Sequence, residues 1–378
     1  MTPFDGLLFF YLLVLLLIPA VLLGLFEKPL RHYGLIATIV VLFFVFDTAE
    51  KRLLLLGFFA LETALVFLYL RVRRRTEKRP VLWLFLLLSL APLILAKVGG
   101  VMGSGFFSFL GVSYMTFRAV QVLIETYDGL ITEIKPLDFT YFLLFFPSVS
   151  SGPIDRYRRF TGDLCNVPSR ADYVELVKRG VFKLISGAFL NFGVSNMIYT
   201  LWLSRLAERT IANDISYMYG YTFFLFFNFA GYSLMAIGAS YILGVKVPEN
   251  FDMPFLSRDM KDFWARWHIS LSTYMRDYVY TRFTMASMKG EWFRDRRTGS
   301  YIGYLITMVT MGLWHGLSPR YLLYGLYHGI LMCLNDVLDT RWKRFKKLKK
   351  GGVSQAVLIL ITFHLVAAGL LLFSGRIL

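Results

Sequence analysis

Two histidines stand directly after tryptophans, in short motifs whose residue types suit proton transfer. His268 ends the stretch Trp264–His268, and His315 lies within Met311–Gly316. The chain around them is strongly apolar, and an ionisable side chain within a membrane protein is costly enough to indicate a functional site. Imidazole is the side chain that ordinarily changes charge near neutral pH, so both histidines are candidate catalytic residues for general acid–base chemistry.

The residues around His268 predict an amphipathic helix over Phe263–Tyr280. Trp264, Trp267 and His268 fall at helical spacings on one face of that helix. This face would direct His268 into an apolar, aromatic environment. A core histidine hydrogen-bonded to a neighbour, with tryptophans at the membrane interface, explains the same pattern. The spacing alone therefore leaves both interpretations open.

Two glycines bracket His315. Gly312 and Gly316 let backbones approach closely, and Pro319, a little further on, ends the helix. We therefore expect His315 at a turn between two helices, where a water-filled pocket reaches it. A buried histidine that caps carbonyl groups at the helix end is the alternative. The small residues make room for a substrate and favour the functional interpretation.

Trp267, Trp314 and His328 are candidates to line the same cavity. His328 lies on the helix that is predicted to return from the turn, where a structural hydrogen bond is the favoured role. The other two histidines receive no chemical role: His32 is predicted in a loop and His364 in the last apolar segment.

The composition places the chain among polytopic membrane proteins. Of its 378 residues, 56% are hydrophobic and 17% are charged, whereas soluble domains have roughly 25% charged residues. A net charge of +16 would suggest nucleic acid in a soluble protein. Here the basic residues cluster in loops between apolar segments, so we expect anionic lipid and no nucleic-acid partner. Cys165 and Cys333 are isolated, which argues against a disulfide framework or a metal site.

The apolar segments predict an all-α fold, with one membrane-embedded domain over residues 1–378 and roughly ten to twelve membrane helices. Several segments are short or interrupted by Gly and Pro. They predict tilted or re-entrant helices around an internal cavity, because unpaired backbone cannot face lipid. Glu62, Arg118, Gln121 and Glu125 are expected to face the interior and pair there. The segments are Gly6–Phe26, Tyr33–Phe46, Leu53–Leu70, Val81–Ala96, Phe106–Ile124, Asp138–Val149, Val181–Leu203, Tyr217–Leu243, Tyr301–Leu313, Tyr321–Leu338 and Val353–Phe373.

Loop charge predicts the orientation of the chain in the membrane. Arg71–Arg79 and Arg341–Lys350 are strongly basic and are placed in the cytoplasm. Counting the spans between each loop and the nearer end of the chain places both termini outside.

Two polar segments suit contact with a partner or with lipid. The cluster Arg156–Arg159 has the chemistry to bind a phosphate or an acidic partner, although its charge favours a membrane-surface anchor. The second segment, Tyr280–Arg297, combines adaptable apolar side chains with a basic rim that would attract an acidic partner. An interfacial helix resting on lipid has the same composition. The candidate docking residues of the second segment are Phe283, Met285, Met288 and Arg294.

The two histidine motifs, set in this hydropathy, resemble the membrane-bound O-acyltransferase family. The likeness covers nearly the whole chain and is strongest to the branch that D-alanylates teichoic acids. Alginate O-acetyltransferase-like members share both motifs but tend to be longer. Further stretches that support the resemblance are Tyr114–Gln121, Ser151–Arg156 and Phe263–His268.

The resemblance implies a ring of membrane helices around a thinned centre, with a funnel from outside to the catalytic histidine. It implies a D-alanyl thioester donor on the phosphopantetheine arm of a small cytosolic carrier protein, so the chain itself binds no cofactor. The D-alanyl group would move toward lipoteichoic acid, with other membrane proteins of the D-alanylation pathway as partners. His315 matches the family's most invariant histidine, and His268 matches a position that is Asn in distant members. The likeness also favours carrier docking at Tyr280–Arg297 over lipid contact.

The residues agree with this chemistry. A thioester is already activated, and a neutral His315 can take the proton of a hydroxyl nucleophile, while His268 orients the donor or stabilises developing charge. Alternatives remain: an alginate-type polysaccharide O-acetyltransferase, a transporter with a histidine-lined path, or a non-catalytic scaffold. An inverted repeat would favour the transporter, and none is evident. A scaffold would tolerate mutation of His315.

Overall fold

A computed structural model describes residues 1–103 and 108–377 of the chain. These residues form seventeen α-helices and, apart from one isolated bridge, no β-structure, so the predicted all-α fold is confirmed. The predicted segment that begins at Phe106 starts outside the described residues. The helices are α1 (Gly6–Leu25), α2 (Arg31–Val45), α3 (Ala49–Arg73), α4 (Arg79–Val101), α5 (Val112–Tyr127), α6 (Pro136–Leu144), α7 (Tyr157–Cys165), α8 (Arg170–Ala188), α9 (Asn196–Leu201), α10 (Ile211–Ile242), α11 (Met260–Arg266), α12 (Ile269–Met275), α13 (Thr281–Lys289), α14 (Arg296–His315), α15 (Pro319–Arg341), α16 (Lys343–Leu348) and α17 (Gly352–Ser374).

Six helical stretches in the described part of the chain are long and apolar enough to cross a membrane, which makes this a multi-pass membrane protein. The prediction of ten to twelve membrane helices stays a prediction. His32, expected in a loop, lies instead in the first turn of α2. The six stretches are α1, α3, α4, Arg170–Arg205, α10 and α17.

The chain divides into two compact units. The first comprises Met1–Phe189 and Gly231–Pro248, and the second comprises Leu190–Ala230 and Glu249–Leu378. The single-domain organisation and the ring of helices stay predictions.

A buried arginine organises the first unit. Arg118 on α5 is 1% exposed. Its guanidinium donates to the carbonyl oxygens of Phe142 and Leu143, at 2.9 Å each, and to Ser148 Oγ at 2.7 Å. The last carbonyl groups of a helix have no partner within that helix, so Arg118 supplies donors where α6 ends. The expectation that this arginine faces the interior and bonds there is confirmed.

Other polar residues of the first unit also pair internally. Glu62 on α3 accepts a hydrogen bond of 2.7 Å from Ser89 on α4. Glu125 forms an ion pair of 3.0 Å with Arg158. Arg159 pairs with Asp155 and Asp163. The basic cluster at Arg156–Arg159 is therefore partly neutralised by carboxylates of its own unit, which weakens the interpretation that it binds a phosphate or an acidic partner.

In the second unit, α14 and α15 form a tight antiparallel pair. A Cβ atom at Gly325 would lie 2.5 Å from the carbonyl oxygen of Met308, and a Cβ atom at Gly312 would collide with the carbonyl oxygen of Tyr321. Only glycine allows the two backbones to approach this closely. This packing fixes the turn that follows α14.

Candidate active site

His315 is the last residue of α14, and the chain reverses immediately after it. The N–H of Gly316 donates to the carbonyl of Gly312 at 3.3 Å, and α15 begins at Pro319. The predicted turn between two helices is confirmed. His315 is half-buried, with its ring centroid 4.8 Å from that of Phe373 and stacked 5.9 Å from that of Tyr321. The imidazole is thus held by aromatic rings and stays accessible.

His268 lies at a break between helices, and the predicted continuous helix over Phe263–Tyr280 is wrong. α11 ends at Arg266 and α12 begins at Ile269. His268 itself has φ of +44°, a left-handed conformation that is uncommon outside glycine and that clusters at functional sites. Propensity gives no signal for such a break, because it depends on contacts with residues far along the chain.

Those contacts come from the segment that precedes α11. The carbonyl of Asn250 accepts the N–H of Ile269 at 2.9 Å, and the N–H of Asp252 donates to the carbonyl of Arg266 at 3.0 Å. Between these bonds, Phe251 and Trp267 form the isolated antiparallel bridge. This pairing stabilises the break between α11 and α12 and positions the side chain of His268.

The side chain of Asn250 decides the tautomer of His268. Asn250 Oδ1 accepts hydrogen bonds from Ser270 Oγ at 2.6 Å and from the Ser270 N–H at 3.3 Å, so this atom is an acceptor. His268 Nδ1 lies 3.4 Å from the same oxygen and must therefore carry the proton. The other ring nitrogen, Nε2, is left with a lone pair and has no hydrogen-bond partner among the described residues. No motif in the sequence indicates a role for Asn250.

His268 is held in its neutral form. In the sequence, His268 lies between the apolar spans α10 and α17. Its side chain is 4% exposed, and the ring of Phe229 packs edge to face on it with centroids 4.7 Å apart. Burial and, to a smaller extent, the nearby His315 together lower the pKa of His268 from 6.5 to about 3. The ring of Trp314 contacts both histidines, with centroids 4.6 Å from His315 and 6.5 Å from His268. The structure thus brings the two candidate catalytic residues together.

His328 lies deeper in the same unit. It is 1% exposed, and neither ring nitrogen has a hydrogen-bond partner within the described part of the chain, so the predicted structural hydrogen bond is not present there. Its ring lies 4.6 Å from Tyr324 and 5.2 Å from Trp264. Trp267 stacks on Phe263 at 5.5 Å and is 5% exposed, as a core residue would be.

A cavity of about 370 Å³ opens beside these residues. Trp267, Trp314 and His328 do not line it. Met311 does, and it precedes His315 by four residues on α14, so the two share one face of the helix. The walls of the cavity are formed by Lys261, Trp264, Ala265, Ser272, Thr273, Met275, Arg276, Tyr280, Tyr304, Thr307, Met308, Met311 and Met332. Within the described ranges, no three His, Cys, Asp or Glu side chains form a metal-binding group.

Three of the candidate docking residues, Phe283, Met285 and Met288, lie on α13, which begins directly after the cavity residue Tyr280, and Arg294 lies between α13 and α14. Met285 and Met288 are exposed by 60% and 53%, and Arg294 is exposed as well. Phe283 is half-buried, with its ring 5.9 Å from that of Trp292. Trp292 is itself 56% exposed and extends this apolar surface, although its position in the sequence does not mark it as a docking residue.

The all-α multi-pass fold and the paired histidines define the class of protein. The profile of the membrane-bound O-acyltransferase family matches residues 59–373. The chain belongs to this family and is an acyltransferase, as the motifs predicted.

Individual relatives sharpen the comparison. The teichoic acid D-alanyltransferase of Bacillus subtilis (strain 168) is 40% identical over all of this chain and 98% of its own length. The protein of the same name from Streptococcus thermophilus is 35% identical over 99% of this chain and 95% of its own length. A probable alginate O-acetylase of Pseudomonas putida is 29% identical over 71% of this chain and 52% of its own length.

Proposed function

We propose that the chain is a membrane O-acyltransferase of teichoic acid D-alanylation, which moves a D-alanyl group from a carrier-protein thioester toward lipoteichoic acid. The observation that carries the proposal is the accessible His315 at the α14–α15 turn, one helical turn from the cavity and beside the buried, neutral His268. The two teichoic acid D-alanyltransferases match nearly the full length of this chain, which supports the donor and the acceptor class. The alginate-type relative matches over about half of its own length, which makes O-acetyl transfer the second candidate.

In the proposed reaction, His315 is the general base. The acceptor hydroxyl oxygen bonds to the thioester carbonyl carbon while its proton passes to the imidazole of His315. The carbon–sulfur bond then breaks, and the thiolate leaves and takes up the proton. The half-buried position of His315 lets it contact an acceptor while aromatic rings hold its orientation.

His268 has a different proposed role, and its tautomer determines which kind of hydrogen bond it can form with a substrate. Since Nδ1 carries the proton toward Asn250, the free Nε2 accepts a hydrogen bond and does not donate one. It therefore suits an N–H group of the donor, such as an amide of the phosphopantetheine arm or the ammonium group of D-alanine. This favours an orienting role over stabilisation of an oxyanion, which needs a donor.

We place the thioester arm in the cavity and the carrier protein on α13. The walls of the cavity are mostly apolar and aromatic and lead along α14 toward His315. The exposed Met285 and Met288 lie on α13, the helix that follows the cavity residue Tyr280. They offer an adaptable apolar surface with a basic rim. In this arrangement Arg71–Arg79 and Arg341–Lys350 face the cytoplasm, and both termini lie outside.

Reconstitution tests the proposal. The purified protein in lipid vesicles receives carrier protein loaded with labelled D-alanine, and label is counted on lipoteichoic acid, a lipid-linked intermediate and partner membrane proteins. We expect His315→Ala to lower transfer by about 10²–10⁴-fold, the typical loss for a general base. His364→Ala is the control, because the hydrogen bond of this ring among the described residues goes to the carbonyl of Leu360, one turn back on α17.

The outcomes separate the alternatives. Near-normal transfer by His315→Ala would remove His315 from catalysis and favour a scaffold or a transporter. Transfer of acetyl groups to a polysaccharide, without D-alanyl transfer, would support the alginate-type activity instead.

A further inference from the structure

An arginine lies next to the aromatic ring that stacks on His315. The guanidinium carbon of Arg320 is 4.7 Å from the ring centroid of Tyr321, and Nη2 donates to the Tyr321 hydroxyl at 3.2 Å. Tyr321 in turn stacks on His315. Within the described ranges Arg320 forms no ion pair, so its positive charge is uncompensated, and the Tyr321 ring connects it to the proposed general base.

The hydrogen bonds of Arg320 leave capacity unused. Besides the Tyr321 hydroxyl, it donates to the carbonyl of Ser374 at the end of α17, at 3.4 Å. A guanidinium has five N–H donors. The Nε atom is buried and has no partner in the described part of the chain, and the same holds for Oγ of Ser318, two residues earlier. The bond to the end of α17 therefore accounts for only part of the donor capacity of Arg320.

A second arginine lies near the same end of α17, since Arg320 bonds the carbonyl of Ser374, two residues before Arg376. Tyr221 on α10 interacts electrostatically with both Arg320 and Tyr321, and it stacks on Tyr217 at 5.7 Å. The guanidinium carbon of Arg376 lies 4.8 Å from the ring centroid of Tyr217. The Arg–Tyr row is defined by these five residues: Arg320, Tyr321, Tyr221, Tyr217 and Arg376.

The row has an excess of positive charge. Arg376 shares the carboxylate of Asp214 with Arg209, at 2.8 and 3.2 Å. Asp214 is the one carboxylate that pairs with these arginines among the residues described. Two guanidinium groups share one carboxylate, and Arg320 pairs with none of the described carboxylates. This surplus of positive charge suits a ligand in which anionic groups repeat along a chain. The tyrosine hydroxyl groups suit a polyol between the anionic groups.

We propose that the Arg–Tyr row binds the phosphodiester backbone of an alditol phosphate acceptor, with Arg320 holding the phosphate next to the hydroxyl that His315 deprotonates. The inference rests on the proposed function and adds the binding site of the acceptor. Arginine binds phosphate oxygens through two parallel N–H groups, which fixes orientation as well as position. A phosphate held at Arg320 brings the neighbouring hydroxyl of the same repeat toward His315.

The test uses the full-length protein in vesicles, a loaded carrier protein and a glycerol phosphate oligomer as acceptor. We expect Arg320→Gln to raise the KM for the oligomer about 10-fold or more, because a hydrogen bond to a charged group is lost. The change in kcat should be smaller, and binding should depend less on salt. Arg320→Lys keeps the charge and should give an intermediate KM.

Arg341→Gln is the matched control. Arg341 is exposed at the opposite end of the same helix, 21 residues and about 32 Å from Arg320. Glycerol, which has hydroxyl groups and no phosphate, is the second control acceptor. Wild type and Arg320→Gln should use it equally poorly.

Equilibrium binding of the oligomer, measured without the carrier protein, separates this inference from the proposed function. Binding by wild type that Arg320→Gln and Arg320→Lys both retain unchanged would overturn the row as a phosphodiester site. An equal loss with oligomer and glycerol would assign Arg320 to the structure of the turn. Weakened binding by Arg320→Gln, in a protein that transfers no D-alanyl group, would support the row and contradict the proposed reaction.

Discussion

Asn250 and His268 are 18 residues apart in sequence, yet Oδ1 of Asn250 lies 3.4 Å from Nδ1 of His268. Because the same oxygen accepts two hydrogen bonds from Ser270, it fixes the proton of His268 on Nδ1. The pair thus determines which face of the imidazole is available to a substrate. The available nitrogen is a buried acceptor with no partner among the described residues.

This relationship predicts the effect of mutating His268. His268→Ala should impair D-alanyl transfer, and His268→Asn should impair it less, because Asn keeps a hydrogen-bonding group but cannot act as a base. Transfer rates of the two purified variants are compared in vesicles. Equal losses in both would show that His268 exchanges protons and would contradict the orienting role.

Close packing of α14 on α15 predicts that Gly325→Ala is destabilising. The added Cβ would lie 2.5 Å from the carbonyl oxygen of Met308, so the helices must separate. Overpacking of this kind costs about 1–3 kcal/mol. The midpoint of thermal unfolding in detergent should fall, and the D-alanyl transfer activity should decrease.

Gly57→Ala is the control for this substitution. Gly57 lies on α3, and nothing stands within 4 Å of an added Cβ atom. Alanine has the higher helix propensity, so the midpoint of Gly57→Ala should not fall. A Gly325→Ala protein as stable as Gly57→Ala would contradict backbone-to-backbone packing at the turn.

The exposed methionines of α13 predict the site of carrier docking. Met285→Asp combined with Met288→Asp should weaken capture of the carrier protein, since it places negative charge where an acidic partner meets an apolar surface. Pull-down from detergent measures the capture. The pair Met285→Leu and Met288→Leu keeps the surface apolar and should bind normally. Unchanged capture by a well-folded Asp variant would show that the carrier protein docks on another surface.

Loop charge predicts the orientation of the chain. In a background without Cys165 and Cys333, single cysteines replace Thr2, Arg75 and Lys347. An impermeant thiol reagent on intact cells should label position 2 and leave positions 75 and 347 unlabelled. The reverse pattern would show that the chain has the opposite orientation, with the proposed acceptor site in the cytoplasm.

Local signals in the sequence determined much of the fold and part of the site. Long apolar runs predict α1, α3, α4, α10 and α17 because each run by itself satisfies its backbone in lipid. The turn at His315 was predictable since glycine and proline act on the residues beside them. The exposure of Met285 and Met288 agreed with the polar character of their segment, and the two histidine motifs indicated the family.

Contacts between distant residues decided the rest. The break at His268 forms only because residues 250–252 pair with residues 266–269, and helical periodicity carries no information on such pairing. The Arg–Tyr row joins residues from α10, α15 and the end of the chain, up to 159 positions apart between Tyr217 and Arg376. The sequence determined which side chains are capable of acid–base chemistry. Tertiary packing decided which nitrogen of His268 is free and that the ring of Phe373 packs on His315, because both depend on partners that only the folded chain brings together.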